Sequence, residues 1–169
     1  MLGNRKPFDH DASGAGGARP STATTSVEAA RLKLGGSAVP SARPAGALVQ
    51  AVLRDGASHV GAVLWASERR CDVWFDDGVA RRVGAASVTP YDGPLPDLPD
   101  PLVRVAAEIR LFAAMSEGDR VLWTRADRVL DGRIVEKCRY GAIVVATGTG
   151  RLVAVGFRKL WPAAAAAVA

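Results

Sequence analysis

Short runs of apolar residues, separated by turn residues, begin at Leu48 and fill two stretches of the chain. In the first stretch the runs are 48–53, 60–66, 71–75, 79–83 and 86–89. In the second stretch they are 120–125, 129–137, 140–146, 151–156 and 158–161. Short runs bounded by Gly, Asp and Pro predict β-strands. The pattern therefore predicts two five-stranded β units, 46–92 and 118–162, which we call the first unit and the second unit.

The two units repeat one spacing of glycine and proline. Gly61 lies 29 positions before Pro90, and Gly132 lies 30 positions before Pro162. Five short strands in fewer than 50 residues suit a small, strongly bent barrel, which closes its edges around a small core. The chain is thus expected to be mainly β, with two copies of one small barrel. A duplicated small β unit favours a binding function over catalysis.

One strong helix signal stands between the units, in the linker 93–117. Asp100 is expected to cap it and Pro101 to take its first position. Its apolar residues share one helical face: Leu102, Val105, Ala106, Ile109, Phe112 and Ala113. We expect this face to pack against one or both units.

Residues 1–45 form an N-terminal arm that is rich in small and polar residues. Such a composition buries too little surface to offset its ordering entropy, so the arm is expected to be disordered or held by a partner. A capping box from Thr25 to Glu28 predicts a short helix over 26–34. This helix is either a docking motif that orders on a partner or a nascent helix with no role. The tail 163–169 is Ala-rich and carries no evident chemistry.

The positive charge of the chain is concentrated in the second unit. The whole chain of 169 residues has a net charge of +5, and the second unit alone has nine basic and four acidic residues. Its basic surface candidates are Arg125, Arg128, Arg133, Lys137, Arg139, Arg151, Arg158 and Lys159. These side chains either track phosphates or form a solvated exterior.

Several kinds of chemistry have no motif in this sequence. It has two histidines, no nucleophile elbow, no zinc-protease motif and no phosphate-binding loop. We therefore expect no enzyme activity, no metal, no cofactor and no small-molecule substrate. Cys71 and Cys138 are expected to be buried thiols in a reducing compartment. No secretory signal or membrane-length apolar run is evident, so we expect a soluble intracellular protein, in the cytoplasm, the cytoskeleton or the nucleus.

Three segments of the first unit resemble a Tudor domain, which is an SH3-like barrel. They are Gly61-Ala62-Val63, Val73-Trp74-Phe75-Asp76-Asp77-Gly78 and Val88-Thr89-Pro90. The second unit resembles the same barrel less closely, through Gly118-Asp119-Arg120-Val121, Gly132-Arg133-Ile134-Val135 and Gly141-Ala142-Ile143-Val144-Val145. The resemblance covers about 110 residues and implies two Tudor-like barrels in tandem.

Tudor readers hold a methylated cation between aromatic rings and a carboxylate. The resemblance implies that Phe75 is a cage aromatic and Asp77 the cage acid. His59 stands where the family has tyrosine, Val79 replaces a further aromatic, and Val145 is expected to replace the phenylalanine in the second unit. The candidate cage or peptide site is His59, Trp65, Phe75, Asp77 and Trp123. We expect this cage to be degraded.

The sequence therefore favours a non-enzymatic adaptor or scaffold that docks onto protein partners. The resemblance makes a large intracellular assembly, such as a cytoskeletal or ciliary one, a reasonable setting. The alternative is a chromatin or nucleic-acid binder that uses the basic second unit. Neither function involves a membrane.

Overall fold

The computed structural model describes residues 22–35 and 43–163. Its helices are α1 (Thr22–Lys33) and α2 (Asp100–Ala114). The first unit contains β1 (Leu48–Val52), β2 (Ser58–Ala66), β3 (Arg70–Phe75), β4 (Ala80–Gly84) and β5 (Val88–Pro90). The second unit contains β6 (Arg120–Arg125), β7 (Arg128–Cys138), β8 (Gly141–Ala146), β9 (Leu152–Gly156) and β10 (Leu160–Pro162). The predicted disordered arm before Thr22 and the tail after Ala163 lie outside the described residues. Neither described helix is long and apolar enough to cross a bilayer.

The two units have the same strand order. The first sheet runs β4-β3-β2-β1-β5 and the second β9-β8-β7-β6-β10, and all neighbouring strands are antiparallel. The prediction of a mainly β chain with two five-stranded units joined by a helix is confirmed. Among the described residues, no pairing joins the two edge strands of either sheet. The units are therefore strongly paired open sheets and not the closed barrels that were expected.

The repeat extends to backbone irregularities. The β2–β3 register shifts between Val63 and Trp65, and the β7–β8 register shifts at the equivalent place, between Ile134 and Glu136. A Cβ on Gly61 would collide with the Trp74 carbonyl of the adjacent strand, 2.7 Å away. The same holds for Gly132 and the neighbouring β8 backbone. Glycine is needed at this position because the two strands approach too closely for a side chain.

A single extra residue distinguishes the two repeats. The β3–β4 turn closes with the Phe75 amide donating to the Val79 carbonyl at 3.1 Å. The β8–β9 turn closes with the Ala146 amide donating to the Arg151 carbonyl at 2.9 Å, one residue further on. This insertion accounts for the spacings of 29 and 30 in the sequence. Both units then make a 3-10 turn, 85–87 and 157–159, so the predicted strands 86–89 and 158–161 began too early.

Helix α2 packs between the units. Its buried residues are Leu102, Val105, Ala106, Ile109 and Phe112, whereas the predicted Ala113 is exposed. They form one apolar core with Leu64 of the first unit and with Phe157 and Leu160 of the second. Asp100 is the first helical residue and does not cap; Pro99 takes that place. Burial of this shared face couples the two units, as the apolar stripe predicted.

A buried polar contact adds to this coupling. Asp72 on β3 is only 3% exposed, and Arg82 donates to its two carboxylate oxygens at 2.7 and 3.1 Å. The Tyr140 hydroxyl of the second unit donates to the same carboxylate. Burial alone would raise the pKa of Asp72, but the hydrogen bonds from Arg82 and Tyr140 outweigh it and hold that pKa below its usual value. The carboxylate therefore stays charged while it joins the units.

Helix α1 packs on the second unit of its own chain. Leu34 shares a small core with Cys138 and Ile143, on the outer face of the second sheet. Arg31 donates to both carboxylate oxygens of Glu136 at 2.6 Å. The helix begins at Thr22, four residues earlier than predicted, and it has a structural role that neither of the two expected alternatives included.

Candidate functional site

Three of the five candidate cage residues meet at one end of the first unit. His59 lies on β2, Phe75 ends β3, and Asp77 lies in the following turn. The His59 and Phe75 rings meet edge to face, with centroids 6.3 Å apart. His59 Nδ1 is 2.9 Å from Asp76 Oδ1, and Nε2 is 3.5 Å from Asp55 Oδ2. The hydrogen bond with Asp76 is the main cause of a raised pKa at His59.

A cation of the chain itself occupies this cluster. Arg81 Cζ lies 5.8 Å from the centroid of the Phe75 ring. The Arg81 guanidinium donates to Asp77 Oδ1 at 2.9 Å and lies 2.6 Å from Oδ2, which lowers the pKa of Asp77. Phe75 is only 1% exposed. An aromatic ring and a carboxylate thus hold a cation here, but the cation is Arg81 and not a ligand.

The other two candidates lie elsewhere. Trp65 lies against the second unit, where the Arg139 guanidinium carbon is 4.0 Å from its ring centroid. Trp123 belongs to β6 and is only 2% exposed. The structure therefore separates the predicted five-residue site into a cluster of three, one ring between the units and one ring inside the second unit.

The strand register identifies the counterparts of these residues in the second unit. Gly61 pairs with Phe75 across β2 and β3, and Gly132 pairs with Ala146 across β7 and β8. The counterpart of Phe75 is therefore Ala146. The expectation that Val145 replaces the phenylalanine was wrong by one residue, because Ala146 follows Gly132 by the same 14 positions that separate Phe75 from Gly61. The longer β8–β9 turn comes only after Ala146.

The two units place an aromatic ring in the same space from opposite strands. In the first unit Phe75 projects from β3, and the small Ala51 of β1 belongs to the same core. In the second unit Trp123 projects from β6, at the position equivalent to Ala51, and Ala146 is the small residue. Each ring packs over the glycine at which two strands of its unit approach closely, Phe75 over Gly61 and Trp123 over Gly132.

A groove runs along β9 in the second unit. It consists of two adjoining cavities of about 470 and 660 Å³, which share Trp123, Arg125, Val153 and Ala154. Its other walls are α1, the β6–β7 hairpin and the 3-10 turn at 157–159. The Trp123 Nε1 atom is buried and has no hydrogen-bond acceptor among the described residues. Buried donors are nearly always paired, and the other buried side-chain nitrogens without a hydrogen-bond partner among the described residues are His59 Nε2 and Arg139 Nε, neither of which lines the groove.

The matching slit of the first unit has a different lining. A cavity of about 750 Å³ lies beside β4, and its lining includes Arg54, Asp55, Arg81 and Arg82. Arg81 and Arg82 pair with Asp77 and Asp72, which lie outside this lining. The slit keeps some aliphatic residues but has no aromatic residue, unlike the groove. The two slits share a position in the fold but not a chemistry.

Three of the predicted basic surface residues serve the packing of the units. Lys137 donates to two carbonyl oxygens at the end of α2, at 2.7 and 2.5 Å, and burial lowers its pKa. Arg139 stacks on Trp65, as described above. Arg158 donates to Glu108 of α2 at 2.9 Å. These three cations are therefore not part of a free basic surface.

The remaining basic candidates stay at the surface. Arg133 donates to the Gly118 carbonyl at 2.9 Å. Arg125 and Arg128 stand directly opposite each other at the end of the β6–β7 hairpin. Arg125, Arg151 and Lys159 line the groove, and none of them has a carboxylate within 4 Å among the described residues. The basic surface is thus concentrated at the groove.

Sequence reasoning missed the internal cation and the buried carboxylate. Arg81 and Arg82 are neighbours on β4 and face opposite sides of the strand: Arg81 covers Phe75 and Arg82 binds Asp72. The available signal was Asp72 itself, a lone acid inside an apolar strand. Cys71 and Cys138 are buried free thiols as predicted, and burial raises the pKa of Cys138 to about 11.

The chain matches no protein-family model and no curated protein. The Tudor-like resemblance therefore rests on the sequence motifs, and it stays a prediction. Function is therefore inferred from the residues and geometry of the site itself.

Proposed function

We propose that this protein is a non-enzymatic adaptor that binds a segment of a partner protein in the groove of the second unit. The observation that carries this proposal is the Trp123 indole, whose buried Nε1 has no acceptor in the groove lining. A buried donor without a partner costs roughly 1–3 kcal/mol. A ligand that supplies the acceptor recovers this cost, whereas the matching end of the first unit already holds its own cation.

The packing of the second unit against the first supports an adaptor function. Helix α2 and the Asp72–Tyr140 contact fix the second unit against the first, so a bound segment is held in a defined orientation. The groove lining consists mainly of aliphatic residues, threonines, arginines and two aromatic residues besides Trp123; Lys159 and a single acid, Asp131, complete its charged groups, and it contains no histidine or cysteine. These groups favour binding over proton transfer or nucleophilic attack. We place the adaptor in an intracellular assembly, which is consistent with the two free thiols.

The test is selection of ligands from a displayed library of random peptides on the full chain. Leu152 is 48% exposed and lines the groove, and Val135 is 49% exposed on β7 outside it. Peptides that bind in the groove should lose about tenfold in affinity with Leu152→Asp, since about 1.4 kcal/mol of apolar contact is removed. The matched Val135→Asp variant should change the dissociation constant by less than about twofold.

Two outcomes would overturn the proposal. In the first, selected peptides bind equally well to the Leu152→Asp variant, which places their site elsewhere. In the second, a single-stranded nucleic acid binds more tightly than any selected peptide, with an affinity that falls steeply with salt. The second outcome would establish the nucleic-acid alternative.

A further inference from the structure

We infer that the occupant of the groove is an extended, acidic segment of a partner protein that pairs with the free edge of β9 as an additional strand. The inference rests on the proposed function, because it assigns the occupant of the same groove. It adds the backbone geometry of the bound segment and the sign of its charge.

The free edge of β9 follows from the strand register. The Ala146–Arg151 pair exchanges a backbone hydrogen bond, and paired residues alternate between bonded and non-bonded positions along an antiparallel ladder. Leu152, Ala154 and Gly156 therefore turn their amides and carbonyls away from β8. Among the described residues no strand pairs with this side. All three residues line the groove, so an extended chain lying there meets unpaired donors and acceptors.

The charge of the groove selects the sign of the segment. Arg125, Arg151 and Lys159 carry cations without a carboxylate neighbour, as described above. The only acid in the lining is Asp131, and Arg120 lies 3.4 Å from it. Arg125 also faces Arg128 across β6 and β7, an arrangement that disfavours the fold unless an anion relieves it. The positions equivalent to Arg125 and Arg151 in the first unit are Leu53 and Val79, so the fold itself does not require these cations.

The same groove is a poor site for nucleic acid. Nucleic-acid grooves stack bases on exposed aromatic faces. Trp123 is only 2% exposed and its Nε1 atom is buried, so the ring offers no free face to a base. A strand with alternating side chains fits better, because Arg151 and Val153 lie on one face of β9 and Leu152 and Ala154 on the other. The segment can therefore direct its carboxylates towards the arginine face and its apolar groups towards the face of Leu152 and Ala154.

The test uses a fluorescein-labelled peptide of alternating Glu and Val with blocked ends, about ten residues long so that it overhangs a strand of ordinary length. The full chain should bind it and should not bind a Lys-Val peptide of the same length. Methylation of alternate backbone nitrogens in the peptide should abolish binding, because it removes the ladder donors. Arg125→Ala with Arg151→Ala should raise the dissociation constant about tenfold. Arg104→Ala, an exposed arginine of α2 outside the groove, should leave it within about twofold.

A proline substitution tests the edge itself. Ala154→Pro removes an outward amide that makes no bond to β8, so the unfolding midpoint should change little. Binding should nevertheless weaken about tenfold or more. If the methylated peptide or the Ala154→Pro variant binds as tightly as its parent, strand pairing is wrong. Dimerisation of the chain that Ala154→Pro abolishes would assign the edge to a second copy and would also overturn the inference.

Other results separate this inference from the proposed function. Selected library peptides that depend on Leu152 but carry no acidic residues would overturn the acidic strand and leave the adaptor intact. A Lys-Val peptide or an oligo-dT strand that binds better than the Glu-Val peptide would overturn it as well. Loss of every Leu152-dependent ligand would remove both proposals.

Discussion

The two β units share their strand order, their β-bulge and the glycine at which two strands approach closely. They differ in which side chains fill the space above this glycine. In the first unit a ring from β3 lies beneath Arg81, which is paired with Asp77. In the second unit a ring from β6 lines a groove, and no described residue accepts its buried donor. The first site thus holds a cation of the chain itself, whereas the second site has a groove that we propose a partner fills.

The difference shows how a repeated fold can diverge without changing its backbone. The ring that covers the glycine is needed in both units for packing. The strand that carries the ring can differ, because a large and a small residue can exchange places across the core without changing its total volume. In the second unit, where the ring comes from β6, the residue equivalent to Arg81 is Val153, so no cation from this position covers the end of the sheet.

The largest expected effect concerns the coupling of the two units through α2. Replacing both Ile109 and Phe112 by Asp should remove cooperative folding, since each buried apolar side chain contributes about 1.5–3 kcal/mol and the new carboxylates would be buried. Leu111→Asp is the matched control on an exposed position of the same helix. Chemical denaturation followed by tryptophan fluorescence measures the effect. An unchanged transition in the double variant would contradict the coupling of the units.

The exchange of rings can be tested by moving one. Phe75→Ala should lower the free energy of unfolding by about 3–5 kcal/mol, because it leaves a cavity over Gly61. Adding Ala51→Phe would imitate the arrangement of the second unit and should recover about 1 kcal/mol or more of that loss. Urea denaturation of the single and double variants provides both values. A double variant less stable than Phe75→Ala would show that the two positions are not interchangeable.

The polar contact between the units should contribute less. Tyr140→Phe removes one hydrogen bond from Asp72 and should cost about 1–2 kcal/mol at neutral pH. Because the folded pKa of Asp72 lies below its unfolded value, its contribution is present above a pH of about 4 and is lost as pH falls through the folded value. The difference between wild type and variant should therefore shrink in acid.

Tyr91→Phe is the control for this measurement, since the Tyr91 hydroxyl makes an exposed bond of 3.3 Å to the Pro94 carbonyl. It should change the free energy of unfolding by less than about 0.5 kcal/mol at any pH. An effect of Tyr140→Phe that is equally small, or that grows in acid, would contradict the assigned role of Asp72.

The smallest effect is expected at His59, which only the first unit has. Its folded pKa is raised, chiefly by Asp76, so its stabilising contribution is complete below the usual histidine pKa of about 6.5. The contribution is lost as pH rises through the higher folded value. Stability measured between pH 6 and pH 9 should decline in wild type and stay flatter in His59→Gln. Identical pH profiles would remove His59 from the charge cluster of the first unit.

The fold could largely be predicted, and the site only in part. Hydrophobic alternation and turn residues located ten strands to within a few residues, because these signals are local. The boundaries failed at the 3-10 turns, where Val88 and Leu160 begin strands later than the apolar run suggests. For the site, sequence reasoning named Phe75, Asp77 and Trp123 as candidates, and their binding role stays a prediction. It could not see that Arg81 fills the first site or that β9 leaves a free edge in the second.

The sequence by itself determined the duplicated units, their repeated glycine and proline spacing and the helix between them, since each follows from periodicity. Only the tertiary structure decided that Gly61 and Gly132 tolerate no side chain and which ring covers each of them, because both depend on how closely neighbouring strands approach. It also decided the roles of the charges. Arg139 contacts Trp65 of the first unit, Lys137 binds the end of α2, and Arg82 pairs with Asp72, the carboxylate that Tyr140 also binds. Arg125 and Arg151 have no carboxylate partner among the described residues, because pairing depends on distances across strands that neighbours in sequence do not specify.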